Sequence, residues 1–83
     1  MRGDDRAGFV RFQQQLAREA LTRGHVGAAR LALRYLRPHD FVDGEQVTAQ
    51  CLAVLRSSSS SENQVVRAVV ALIRMRPADE GED

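Results

Sequence analysis

The chain has 83 residues, with 12 basic and 11 acidic side chains for a formal net charge of +1, and one cysteine. That length holds a single small domain. The lone Cys51 excludes an internal disulfide, and His25 and His39 are too few to complete a structural zinc set. No apolar run approaches the ~18 residues of a membrane span, and the acidic start MRGDDRAG is unlike the basic opening of a secretion signal. The expected setting is therefore soluble and intracellular, cytoplasmic or nuclear.

All twelve basic residues are arginine. Six acids lie at the ends (Asp4, Asp5, Asp79, Glu80, Glu82 and Asp83), leaving eleven arginines against five acids between Arg6 and Arg76, a net of +6. The pattern predicts a disordered N-terminus over 1–4, a basic helical bundle domain over 5–76 and a disordered acidic tail over 77–83.

A first helix begins near Asp4 or Asp5, whose charge complements a helix N-terminus, and runs through FVRFQQQLAREAL. Phe9, Phe12, Leu16 and Ala20 share one face, widened by Val10, Ala17 and Leu21; Arg11, Gln14, Gln15 and Arg18 take the other side. LTRGH breaks the pattern and predicts a corner, with Gly24 ending this helix or Thr22 capping the next. The second helix is expected to end at Arg37, because Pro38 disfavours helical geometry at the residue before it. At about 100° per residue, Arg23, Gly27, Arg30, Arg34 and Arg37 fall near one line opposite Ala28, Leu31, Ala32, Leu33, Tyr35 and Leu36.

A third helix follows FVDGEQV. Asp43 and Gln46 form a capping box, Val42 and Val47 a hydrophobic staple, and Val47, Cys51, Leu52, Val54 and Leu55 are expected to face inward. The serine run 57–61 reads as a corner: Ser61 and Gln64 make a second capping box, and only about four residues remain between helices, an ordinary helix–helix connection. The last helix, NQVVRAVVALIRM, sets Val65, Val66, Val69, Val70, Leu72 and Ile73 against Arg67 and Arg74, and Pro77 closes it. The predicted fold is an all-α bundle of four short helices around one core, five if the loop at 38–42 contains a turn.

Catalytic chemistry is not expected. His39 and Asp40 are chain neighbours, which suits a turn better than a dyad. His25 sits beside an apolar helix face, and Cys51 has no base within its own turn. No glycine-rich loop follows a strand to cradle a phosphate, and no cofactor or metal is implied. The arginine line is the candidate site, because four like charges repel along it with no interleaved acid. Arg23, Arg30, Arg34 and Arg37 are expected to hold another protein's acidic or amphipathic helix, with Leu33, Leu36 and Val47 lining an apolar groove. The alternative is nucleic-acid binding through the same line; the aromatics Phe9, Phe12, Tyr35 and Phe41 are read as core, not as stacking platforms.

The segments LTRGHVGAARLALRYLR at 21–37 and QVTAQCLAVLRSSSSSENQVVRAVVALIRMRPAD at 46–79, with Pro77 and Asp79 at a closing Pro–x–Asp-like step, resemble harmonin-homology domains, helical hubs of scaffold proteins. That resemblance implies a non-enzymatic adaptor that grips a partner's short helix between its second and third helices. HVGAARLALRYL with RMRPAD is similar in a second way to death-effector-like domains.

Overall fold

The computed structural model describes residues 4–42 and 45–78, and the side chains from Arg6 onward. Four helices follow one another: α1 Asp4–Thr22, α2 Val26–Leu33, α3 Glu45–Arg56 and α4 Glu62–Arg74, with a 3-10 turn at Pro38–Asp40. No strand occurs among the described residues beyond one isolated bridge between Phe41 and Pro77. The radius of gyration is 12.3 Å, close to the ~12 Å of a compact chain this long. The extents are 39 × 26 × 16 Å, and each helix carries exposed residues along one face. The core joins Val10, Ala17, Leu33, Leu36, Leu52, Leu55, Val69 and Leu72 from all four helices and the α2–α3 connection.

Each helix ends for a local physical reason. α1 closes with a Schellman arrangement: Gly24 N–H donates to Leu21 and His25 N–H to Ala20. Gly24 sits at φ 80, the left-handed region that a residue with a Cβ rarely adopts. α2 stops at Leu33, one turn short of the expected Arg37. Pro38 requires extended backbone before it, and Arg37 is at φ −121, ψ 154; the chain leaves the helix through a turn at 34–35. The serine corner forms as the sequence predicts. Gln64 N–H donates to Ser61 Oγ at 3.2 Å and Ser61 N–H to Gln64 Oε1 at 2.8 Å. The Asp43 capping box falls on a residue outside the described ones, as do the segments 1–3 and 79–83.

The domain boundaries shift slightly. Asp4 already belongs to α1, and the folded part extends to Ala78. Val42 N–H donates to Arg76 O at 2.9 Å and Ala78 N–H to Asp40 O at 2.7 Å, pinning the chain after α4 against the turn at Pro38–Asp40.

The inward faces differ from expectation in two helices. α1 buries the small side of its apolar arc, Ala7, Val10 and Ala17, while Phe9, Phe12 and Leu16 are 43%, 59% and 40% exposed. Small residues let α1 approach its neighbours closely, and the large ones are left outside. Gln14, expected on the polar side, is buried because its amide donates to Leu72 O and Met75 O, both at 2.8 Å, sealing the end of α4. α3 turns Leu52 and Leu55 to the core and packs Cys51 and Val54 partly against it, as expected, but buries Thr48 in place of Val47. Val47 is therefore 52% exposed, and Val42, its expected staple partner, 47%.

Candidate functional site

The arginine line expected on α2 is divided among three tasks. Arg30 reaches α3, donating from Nε to Leu55 O at 2.7 Å and from NH2 to Ser57 O at 2.8 Å. In return Arg56, at the end of α3, donates from Nε to Arg34 O at 2.8 Å and from NH2 to Leu36 O at 2.6 Å. The two guanidiniums thus cross between helices and seal each other's C-terminal carbonyls, the groups a helix leaves unpaired and at the negative end of its dipole. Arg37, beyond the helix, faces Asp40 at 3.5 Å. Arg34 caps α2 and lies over the Tyr35 ring at 5.5 Å, while Arg23 belongs to the turn after α1 and is exposed. A line drawn on an unbroken helix to Arg37 does not survive the end of α2 at Leu33. Leu33 and Leu36 are 0% and 1% exposed; they are core residues and line no open groove, while Val47 is exposed on α3.

Asp40 is the second node. It is 3% exposed, and Arg6 holds it at two points, Nε to Oδ1 at 2.9 Å and NH2 to Oδ2 at 2.7 Å. Arg37 N–H adds a bond to Oδ2 at 2.8 Å. Burial alone raises this carboxyl; the hydrogen bonds from Arg6 and the Arg37 backbone, with both guanidinium charges, outweigh it and hold the carboxyl below its usual range. Arg6 also lies over the Phe9 ring, 4.9 Å from its centroid. Asp40 is thus committed to structure. His25, which the sequence sets beside an apolar helix face, is exposed at the N-cap of α2 and makes no side-chain cap bond. His39 is exposed. Cys51 is half-buried, and burial pushes its thiol up. No group of three or more metal-ligating side chains occurs among the described residues.

The open apolar surface lies between α1 and α2. A groove of about 430 Å³ is lined by Leu16, Ala20, Ala28, Leu31 and Ala32, with Glu19, Arg23 and His25 at one end. Gln13 Nε2 bridges the two helices to Ala32 O at 2.7 Å. Leu16 and Leu31 (53% exposed) line this groove from the two helices; Phe12, one turn before Leu16 on α1, and Tyr35 (71% exposed), in the turn after α2, are also open to solvent. Guanidiniums flank this strip, with Arg23 at the groove end, Arg34 on Tyr35 and Arg6 on Phe9. The sequence reading assigned the aromatics Phe9, Phe12, Tyr35 and Phe41 to the core, and of these only Phe41 is buried; the helical spacing that groups Phe9, Phe12 and Leu16 is the signal that finds the α1 side of this surface once the smaller residues are known to face inward.

No family model, no curated protein and no solved structure matches this chain. No helix among the described residues is long and apolar enough to cross a membrane.

Proposed function

We propose that this domain is a non-enzymatic protein-interaction module that docks an acidic, amphipathic helix from another protein along α1 and α2. The observation that carries the reading is the set of large apolar side chains left open on two adjacent helices and the turn that follows, Phe9, Phe12 and Leu16 on α1, Leu31 on α2 and Tyr35 just beyond it. Exposed apolar surface of this kind marks docking sites, and an amphipathic helix laid into a groove is anchored by such residues at helical spacing. Charge selects the partner, since Arg6, Arg23 and Arg34 rim the strip and Glu19 is the one acid lining the groove. A helix with glutamates beside its apolar face would meet guanidiniums at both ends. The floor of Ala20, Ala28 and Ala32 lets a helix backbone approach closely. The harmonin-type resemblance supports an adaptor role, with the occupied groove between the first and second helices in place of the second and third.

The test is binding of a synthetic peptide with leucine on one helical face and glutamate on the other, followed by calorimetry. Phe12→Ser combined with Leu31→Ser is expected to weaken binding at least tenfold while leaving the helical signal intact, since both side chains are more than half exposed. Undiminished affinity in that variant contradicts the assignment.

A further inference from the structure

The flank of α1 turned away from α2 carries a different surface. α1 and α4 run antiparallel, with Gln14 beside Leu72 and Met75, and Arg18, Leu21 and Thr22 sharing a groove of about 370 Å³ with Val70, Ile73 and Arg74. Arg18 and Arg74, 56 positions apart in the chain, therefore meet at one groove with no acid in its lining. Arg11 precedes Arg18 by seven positions, and Arg67 precedes Arg74 by seven. Seven residues return to the same helix line within about 20° and lie about 10 Å apart. Because the helices oppose each other, Arg11 extends the row in one direction and Arg67 in the other. Arg18 and Arg74 thus meet at the α1–α4 groove with Arg11 one heptad along α1. Arg67, one heptad along α4, borders the neighbouring groove with Gln50, Cys51 and Val54 of α3, so the four span about 20 Å of surface across two grooves.

All four side chains are exposed, and among the described residues none makes a side-chain hydrogen bond or ion pair. Glu19 lies about 100° round α1 from Arg18 and Glu62 about 120° round α4 from Arg74, so neither stands among the four arginines; Asp4, seven positions before Arg11, falls on the same α1 line beyond the end of the row. These four guanidiniums differ in this respect from Arg30 and Arg56, which are spent on carbonyls, and from Arg6 and Arg37, which are spent on Asp40.

We infer that the α1–α4 face binds the phosphate backbone of duplex nucleic acid without reading its sequence. An arginine fork matches a phosphate at two points. A duplex presents one charge per about 1.7 Å of its axis, so a 20 Å row finds phosphates at any register. An acidic peptide would have to be ordered before it offered carboxylates along the same length. The groove lining holds leucine, valine and isoleucine but no aromatic ring, so it provides no platform for the bases of a single strand. The surface is independent of the α1–α2 strip and stands whether or not that strip docks a helix.

Fluorescence polarisation of the full chain with a labelled duplex of arbitrary sequence, across a salt series upward from about 50 mM, reads the number of phosphates engaged. The expected slope of log affinity against log salt is about −3 to −4, and Arg18→Gln with Arg74→Gln reduces its magnitude by about 2. Arg18→Lys with Arg74→Lys keeps the slope, and Arg23→Gln with Arg34→Gln on the other face leaves it unchanged. Four results overturn the inference: no binding at low salt, a slope indifferent to the Arg18 and Arg74 substitutions, a slope carried by Arg23 and Arg34, or tighter binding of polyglutamate than of duplex at matched charge.

Discussion

Removing a carboxylate from water costs several kcal/mol unless it is paired and hydrogen-bonded, and Asp40 meets both conditions through residues far from it in the chain. Arg6 lies 34 positions away, and Asp40's own carbonyl accepts from Ala78. One buried side chain and its backbone thus fix the start of α1, the turn after α2 and the segment beyond α4. Its carboxyl is held below the ordinary range. Its contribution to stability is therefore fully present above the unfolded value of about 3.9 and is lost as pH falls through the folded value. Urea denaturation across the acid range should show the native chain losing an increment of stability below about pH 4 that Asp40→Asn lacks. At neutral pH Asp40→Asn should be less stable by roughly 1–3 kcal/mol. An acid dependence identical in the two proteins would mean that another group carries it.

Short helices depend on their ends, and α2 has only 8 residues. Its last carbonyls accept from Gln13 and Arg56, those of α3 from Arg30 and Ser60, and those of α4 from Gln14. A guanidinium at a helix C-terminus combines charge-assisted bonds with a favourable dipole, so Arg30→Gln should cost about 1–2 kcal/mol of unfolding free energy. Arg23→Gln, on an exposed turn, should change it by less than about 0.5 kcal/mol. Equal losses in chemical denaturation would return Arg30 to the surface line that the sequence suggests. What was legible here were the local signals: Pro38 ending a segment, Gly24 turning a corner, Ser61 and Gln64 boxing a start. Two features were not legible, because each depends on a neighbour distant in sequence. The apolar arc of α1 is wide enough to be buried on either half, and the choice of Ala7, Val10 and Ala17 over Phe9, Phe12 and Leu16 is made by the other helices. Likewise an arginine on a helix face reads as solvated until a facing carbonyl 25 positions on, Leu55 for Arg30, gives it a partner.

At the scale of the whole molecule, a chain this small cannot cover both flanks of its longest helix. α1 lends its buried side to the core, one flank to the apolar strip shared with α2 and the other to the arginine row shared with α4. The all-α bundle was readable from periodicity and punctuation. The placement of the open surface was not, since it is whatever the four helices leave uncovered. Amide chemical-shift mapping with the leucine–glutamate peptide tests the central claim most directly. The docking account predicts saturable shifts concentrated on Phe9, Phe12, Leu16, Leu31 and Tyr35, with the α3–α4 side unmoved. Shifts confined to Arg11, Arg18, Arg67 and Arg74, or spread evenly over the molecule, would contradict it.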